Sequence, residues 1–335
     1  MLAVLVGLLL LVSQCSCTSP SAGATFKEYG DQAAAALLHN YYLNGQWKPY
    51  PTATTSANHD WGADSLTYSL YFRYFLTKDE SIPPLLLALS NTMNSPPPPC
   101  LKASDCKAWS DEYLWDSVAG SREFEVTHAA LALSKAISAF EYVDNSTVFT
   151  GGACPGIRYQ RPDHSSKGLK TAETDTNYIR AALALYQHTN NSEYLEKAIA
   201  VYNAVRGGYL DKGGSNLYSV YVFDMDGVCA QVLGRYYSSI NGNMIYSGMK
   251  LQQLTGDGVY FFQANATASD ISSVLADGRG VHVDLQAEND IVEPLIEAFY
   301  SLWTEYGEPF AKEWILRNAA GTQKGVLMIL LSVWL

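Results

Sequence analysis

The chain of 335 residues is long enough for one large domain or two modest ones, and its formal net charge is −11. Charged residues make up only 16%, whereas there are 23 tyrosines and 7 tryptophans, a composition that favours sugar binding over phosphate binding. The acidic balance argues against a nucleic-acid backbone as partner. The sequence contains no Walker loop, no dinucleotide fingerprint and no HExxH motif. We therefore expect no organic cofactor and no catalytic metal.

The N-terminus predicts a signal peptide over residues 1–20. Residues 2–12 form a short apolar run, and small and polar residues follow it. The run is too short for a membrane-spanning helix. Cleavage between Cys17 and Ala24 would remove the first two cysteines and direct the protein to the secretory route.

Helical periodicity dominates the rest of the chain. The predicted helices cover residues 26–43, 62–76, 84–93, 110–119, 125–142, 172–188, 192–206, 232–254, 257–275, 288–305 and 307–318. Most connections between them are short, and short connections make antiparallel helical hairpins. The sequence therefore predicts one all-α domain over residues 25–320, an (α/α)6-like barrel in which the last hairpin is expected to be incomplete.

Three segments interrupt the helical pattern. Residues 95–105 form a proline-rich loop, Gly151 and Gly152 open a non-helical stretch that runs to Lys170, and residues 209–229 are predicted to be a β-hairpin. Such excursions lie on the rim of a helical barrel, where loops commonly build a functional cleft.

The most informative residues are the adjacent carboxylates Asp111 and Glu112, which have aromatic residues on both sides in the segment 109–115. Glycosidic bond cleavage needs two carboxylates, one as nucleophile or base and one as acid, and sugar rings stack on aromatic faces. The alternative is an ordinary acidic helix start, with Ser110 as the N-cap.

Further motifs follow the carboxylate pair in a fixed order. They are the Gly151-Gly152 turn, a lysine-led alanine-rich helix from Lys170, an aromatic-Asp step at Phe223-Asp224 before Cys229, an Asn241-Gly242 step, and Thr-Gly-Asp at 255–257. In this order and spacing the chain resembles glycoside hydrolase family 76, the α-1,6-mannanases and their fungal cell-wall relatives. The resemblance extends over residues 61–319 and is best between 111 and 257.

The resemblance implies an α/α barrel and the retaining hydrolysis or transfer of α-1,6-linked mannose. Asp111 would be the nucleophile and Glu112 the acid/base; the family usually has Asp at the second position, so Glu112 is one methylene longer. The candidate substrate-binding residues are Asp60, Trp61, Tyr113, Trp115, Asp224 and Asn241. Each also has a structural interpretation, as a helix cap, a core residue or a turn residue.

Four cysteines remain after signal cleavage, and an even number in a secreted chain favours two disulfides. The candidates are a tight Cys100–Cys106 loop and a Cys154–Cys229 bridge, with a zinc site as the less favoured alternative. Asn145, Asn190 and Asn265 begin glycosylation sequons.

The C-terminal residues 322–335 form a hydrophobic tail, with an apolar run over 326–335. The run follows small residues and resembles a GPI-attachment signal, although its polar spacer is short. A truncated final helix is the alternative. We expect a secreted or cell-surface protein, with membrane attachment through a lipid anchor as one route.

The leading hypothesis is a mannan endo-1,6-α-mannosidase-like hydrolase or transglycosidase whose partner is a polysaccharide or glycan. The first alternative is a sugar epimerase or lyase on the same barrel, with a His or Tyr base. The second is a non-catalytic carbohydrate-binding or cell-wall protein that keeps the cleft.

Overall fold

The computed structural model describes residues 61–91, 99, 101–102, 109–161, 163, 168–284 and 292–320, and short pieces at 35, 38–40, 42–43 and 46–47. The signal peptide, the hydrophobic tail, Asp60 and the pair Cys100 and Cys106 lie outside the described residues. The predictions made for them stay predictions.

Most of the described chain is helical. The helices are α1 (Trp61–Thr77), α2 (Ile82–Ser90), α3 (Ser110–Thr127), α4 (Ala130–Asn145), α5 (Ala172–Thr189), α6 (Ser192–Tyr209), α7 (Ser238–Thr255), α8 (Gly258–Val274), α9 (Glu293–Thr304) and α10 (residues 309–320).

These helices form two layers. Helices α1, α3, α5, α7 and α9 pack against one another in turn as an inner layer, and α2, α4, α6 and α8 each pack outside the inner helix that precedes them. The α10 helix covers α9, with the rings of Trp314 and Phe299 4.2 Å apart. The fold is an α/α barrel of helical hairpins, so the predicted fold class is confirmed.

Short polar sequences set the turns between inner and outer helices. Asn190 ends α5 in the left-handed conformation (φ 57°), and the side chain of Asn191 accepts a hydrogen bond from Glu193 N (3.1 Å) to begin α6. Between α7 and α8, Gly256 (φ 76°) ends α7 in the left-handed conformation. The side chain of Asp257 then accepts a hydrogen bond from Val259 N (3.0 Å) to begin α8. The Thr-Gly-Asp motif is therefore a helix stop followed by a helix start.

The boundary predicted at the end of the helix that begins at residue 110 is wrong. The break expected between residues 119 and 125 does not exist, because α3 continues to Thr127 and ends where His128 adopts φ 55°. Gly120 interrupts the apolar pattern for a packing reason: a Cβ there would lie 3.0 Å from the carbonyl oxygen of Ala132 on α4. The glycine permits close contact of the two helices and does not end α3.

A small antiparallel sheet lies at the start of α5. It consists of β3 (Leu169–Thr171), β4 (Tyr221–Met225) and β5 (Val228–Gln231). A separate two-stranded hairpin, β1 (Tyr42–Leu43) and β2 (Gln46–Trp47), lies earlier in the chain. The hairpin predicted within 209–229 is present as β4 and β5, which turn at Asp226-Gly227. The chain also reverses around Gly213-Gly214, where Leu210 forms an antiparallel bridge with Tyr218. The predicted start of the next helix at 232 is too early, since Tyr236 bridges to Ser219 and α7 begins at Ser238.

A disulfide joins Cys154 to Cys229, with their Cα atoms 5.0 Å apart, as predicted. It attaches the loop that follows Gly151-Gly152 to strand β5. No helix among the described residues is both long and apolar enough to cross a membrane.

The Asn241-Gly242 step belongs to the packing of two inner helices. A Cβ on Gly242 would lie 2.3 Å from the backbone nitrogen of Leu295, so only glycine lets α9 begin this close to α7.

Candidate active site

The N-terminal ends of three inner helices meet on one side of the barrel. Ser110 Oγ and Thr174 Oγ1 are 3.3 Å apart and connect the first turns of α3 and α5. Ser239 Oγ in the first turn of α7 donates to Glu173 Oε2 at 2.6 Å. Helix N-termini carry a partial positive charge, so they stabilise carboxylates placed there.

Asp111 lies in the first turn of α3 and is half-buried. Its Oδ2 accepts a hydrogen bond from Gln160 Nε2 at 2.6 Å, whereas its buried Oδ1 accepts none from the described residues. Burial raises the pKa of Asp111 to about 6, and the Gln160 hydrogen bond opposes that effect by stabilising the ionised form. Asp111 therefore has one oxygen that Gln160 orients and one buried oxygen that accepts no hydrogen bond from the described residues.

Gln160 is held by the start of the same helix. Its carbonyl oxygen accepts from Ser110 N (2.9 Å) and Ser110 Oγ (3.0 Å), and the neighbouring Arg161 guanidinium lies 4.5 Å from the centre of the Trp109 ring. The loop before the sheet thus fixes the donor that orients Asp111. The sequence analysis missed Gln160 because no local motif connects residues 49 positions apart.

Glu112, the second member of the pair, is exposed. The two carboxyl groups therefore occupy different environments although they are neighbours in sequence. Adjacent helix residues point about 100° apart, which accounts for the difference. A half-buried, oriented carboxylate and an exposed one are suited to separate roles as nucleophile and proton donor.

The structure also places a third carboxyl group here, which the sequence analysis did not single out. Glu173 lies in the first turn of α5, where its Oε1 accepts from Asn177 Nδ2 at 3.2 Å and its Oε2 accepts from Ser239. Burial raises the pKa of Glu173 to about 7, and the charge of Asp111 adds to this effect. The sequence contains Glu173 in its lysine-led helix motif, but no spacing rule indicates that it meets Asp111.

The two aromatic candidates on α3 face different surroundings. Trp115 is buried, its ring lies 5.3 Å from that of Tyr68, and its indole acts on Glu173 to lower the pKa of that carboxyl group. Tyr113 is half-buried and packs on Tyr142 of the outer helix α4, with ring centres 4.3 Å apart. Trp115 therefore contacts a group of the site, whereas Tyr113 contacts the outer layer.

Asp224 and Asn241 are tied to the backbone around them. Asp224 accepts from the backbone nitrogens of Ala153 (2.5 Å) and Cys154 (3.3 Å) and pairs with Lys170 Nζ at 3.0 Å. Asn241 is buried, accepts from Tyr218 N at 2.9 Å and donates to Tyr237 O at 2.9 Å. These contacts fit the structural interpretation of each residue, and the substrate-binding interpretation stays a prediction.

Two further candidates are at the start of α1. Trp61 begins that helix, but its side chain is outside the described residues, as is all of Asp60. In the described part of the chain, no group of three or more His, Cys, Asp or Glu residues could hold a metal ion.

A polar network continues from Glu173 along the barrel axis. Asn243 Nδ2 donates to Asn177 Oδ1 at 2.8 Å, and Arg180 Nη1 donates to Asn243 Oδ1 at 2.9 Å. Arg180 and Arg122 both pair with Glu297 of α9, and Arg122 also meets Glu293 at 3.4 Å. The interior of the barrel is therefore polar from the site to its centre.

The model of the Glycosyl hydrolase family 76 matches residues 111–305, more than half of the chain, and the match begins at Asp111. The chain belongs to glycosyl hydrolase family 76. No curated protein matches it in sequence.

Solved structures share the fold. The α-1,6-mannanase GH76A from Salegentibacter sp. HEL1_6 has a TM-score of 0.66 at 20% identity, covering 85% of this chain and 83% of that one. An inactive variant of that enzyme, with two adjacent aspartates changed to alanine, was solved with α-1,6-mannotetrose (TM-score 0.65, 20% identity, 85% and 83% covered). The α-mannanase BT2949 from Bacteroides thetaiotaomicron has a TM-score of 0.66 at 18% identity, covering 86% and 80%.

Proposed function

We propose that this family 76 protein is a retaining glycoside hydrolase that cleaves α-1,6-linked mannan. The observation that carries the proposal is the pair Asp111 and Glu112 at the N-terminus of an inner helix, the first half-buried and oriented, the second exposed. The inactive Salegentibacter variant supports it, because that α-1,6-mannanase is inactive when two adjacent acidic residues are changed.

In the proposed mechanism the carboxylate of Asp111 attacks the anomeric carbon while Gln160 holds its Oδ2 in position. Glu112 gives its proton to the leaving glycosidic oxygen as that bond breaks. Glu112 then removes a proton from water or from an acceptor sugar, which attacks the glycosyl ester and releases Asp111. Hydrolysis and transfer differ only in which acceptor enters the cleft.

The test is to incubate purified protein with linear α-1,6-mannan and analyse products by mass and by proton NMR. A retaining enzyme holds its two carboxyl groups about 5–5.5 Å apart, and neighbouring residues on one turn fit that gap better than the roughly 6.5–9.5 Å of an inverting enzyme. We therefore expect the first-formed product to have the α-configuration. Initial appearance of the β-anomer would rule out Asp111 as a covalent nucleophile.

A second prediction concerns the proton donor. Glu112→Gln is expected to slow natural mannan strongly, by on the order of a hundredfold or more, because general acid catalysis contributes about 10²–10⁴-fold. Mannosides with leaving groups that need no protonation should form the glycosyl ester at nearly the wild-type rate. Equal slowing of both kinds of substrate in stopped-flow assays would count against an acid role for Glu112.

The same assays separate the alternatives. An epimerase or lyase would lose activity when a histidine is replaced; among the described residues His282 is a candidate, since its Nε2 lies 2.8 Å from Ser238 Oγ at the start of α7. A non-catalytic protein would bind α-1,6-mannan without releasing reducing ends.

We also propose that the protein is a secreted or cell-surface glycoprotein. The Cys154–Cys229 disulfide and the exposed sequon residues Asn145 and Asn190 support this, whereas Asn265 is half-buried within α8 and is a poorer acceptor. A C-terminal lipid anchor remains part of this proposal.

A further inference from the structure

Glu173 and Asp111 form a close acidic pair built from two neighbouring inner helices. The residue before Asp111 contacts the residue after Glu173, through Ser110 Oγ and Thr174 Oγ1 at 3.3 Å. Trp115, one turn after Asp111, also acts on Glu173 and lowers the pKa of that carboxyl group. The two carboxyl groups therefore belong to one site, although only Asp111 has a part in the proposed mechanism.

The hydrogen bonds of Glu173 have a fixed direction. A guanidinium group can only donate, so the Asn243 oxygen must face Arg180 and the Asn243 nitrogen must face Asn177. The Asn177 oxygen then accepts, and its nitrogen donates to Glu173 Oε1. Oε1 is an obligate acceptor, and a proton on Glu173 can reside only on Oε2.

Ser239 Oγ is the partner of that second oxygen, at 2.6 Å, and a hydroxyl can donate or accept. The contact is therefore compatible with both states of Glu173. The arrangement thus provides one defined position for one proton.

Two carboxyl groups this close in a poorly solvated site do not both ionise easily, and they titrate as a pair. Among the described residues, the charged group that acts on Glu173 is Asp111 of α3; α7 contributes the neutral Ser239 and α5 itself contributes Asn177. Arg180 reaches Glu173 only through two amide groups. Asp111 meets Gln160 from the loop and has the exposed Glu112 beside it.

We propose that Glu173 is a positioning residue that carries the proton of the Glu173–Asp111 pair and so leaves its negative charge on Asp111, the group that attacks. This role rests on the proposed function. The directions of the pKa values agree: burial raises the pKa of both carboxyl groups, and the charge of Asp111 raises that of Glu173 further.

The test is a carboxyl ¹³C NMR titration of the free protein labelled at glutamate, which needs no substrate and is readable even if mannan is not cleaved. The Glu173 resonance is the one missing from Glu173→Gln, and we expect its midpoint near pH 7. In Asp111→Asn that midpoint should fall toward the ordinary glutamate range, because a charge that raises it has been removed. Glu193→Gln is the matched control: Glu193 is also in the first turn of a helix, but on the outer layer and exposed.

A Glu173 midpoint in the ordinary range in wild-type protein, or one that Asp111→Asn does not move, would overturn the proposal. If Glu173→Gln does not fold, the resonance is identified as the one whose midpoint moves up in Ser239→Ala, which removes a hydrogen bond that lowers the pKa of Glu173.

Activity gives a second readout if the protein hydrolyses mannan. Because a glutamine and a protonated glutamate are both neutral, the acid limb of the kcat/KM profile should stay at the same pH in Glu173→Gln. If Glu173 were ionised while Asp111 titrates, replacing Glu173 with glutamine would remove a negative charge and lower the pKa of Asp111. The acid limb of the profile would then move down by about one pH unit, which would contradict the proposed charge distribution.

Discussion

Replacing Asp111 with asparagine is expected to abolish mannan hydrolysis, with a loss of roughly a thousandfold or more, as is typical when a catalytic nucleophile is removed. The amide keeps the shape of the side chain, and its oxygen can still accept the hydrogen bond from Gln160. What is lost is the nucleophilic carboxylate that would form the glycosyl ester. The measurement is release of reducing ends from α-1,6-mannan, with circular dichroism to verify the fold.

The matched control is Asp226→Asn. Asp226 is exposed at the turn between β4 and β5, with φ 54°, and asparagine tolerates the left-handed conformation well. This variant should keep wild-type activity. If Asp111→Asn retained more than roughly a tenth of wild-type activity, the nucleophile would have to be another residue.

The wild-type pH profile provides a related check on Asp111. Since the attacking group must be ionised and its pKa is raised to about 6, the acid limb of the activity profile should fall as the pH drops through about 6, whereas loss of the Glu112 proton sets the alkaline limb. An unperturbed aspartate would keep activity to much lower pH.

The sequence was sufficient to predict the helices, the α/α barrel and the Cys154–Cys229 bridge, because periodicity, short connections and cysteine number are local or compositional signals. It failed at the α3 boundary. Gly120 looks like a turn signal, but whether a glycine serves a turn or a close helix contact depends on a partner elsewhere in the chain.

Some residues of the candidate site were likewise predictable from the sequence, and others were not. Asp111 and Glu112 were predictable because both lie in one short aromatic segment. Gln160 and Glu173 were not, because they reach Asp111 from a loop and from another inner helix. Only the ring of helices brings these groups together, so their chemistry cannot be inferred from local spacing.

The largest loss of stability is expected from Glu297→Ala. Glu297 is buried on α9, and its Oε2 receives a guanidinium N–H from both Arg122 and Arg180. Burial alone would raise the pKa of Glu297, but the two guanidinium groups outweigh it and hold the pKa below its usual value. In the variant, the buried guanidinium groups of Arg122 and Arg180 lose the negative charge that they share. Breaking a buried ion pair in this way lowers the free energy of unfolding by about 3–5 kcal/mol.

Neighbouring groups should moderate the loss but not prevent it. Arg180 keeps its hydrogen bond to Asn243 (2.9 Å), and Arg122 keeps Glu293 (3.4 Å). Burial raises the pKa of Glu293 to about 7, with Glu297 itself adding to the rise, so removal of Glu297 makes it easier for Glu293 to ionise. We therefore expect a loss of about 3 kcal/mol, at the lower end of the range for broken buried pairs.

Thermal unfolding of the whole chain measures this effect, and the expected fall in Tm is on the order of 10 °C. Glu305→Ala is the matched control, because Glu305 follows the same helix and pairs with Lys250 at 3.3 Å, but is exposed. An exposed pair contributes at most about 1 kcal/mol, so this variant should unfold close to the wild-type temperature. Equal, small decreases in Tm in both variants would mean that water reaches Arg122 and Arg180. Glu297 would then not be the residue that stabilises the polar interior of the barrel.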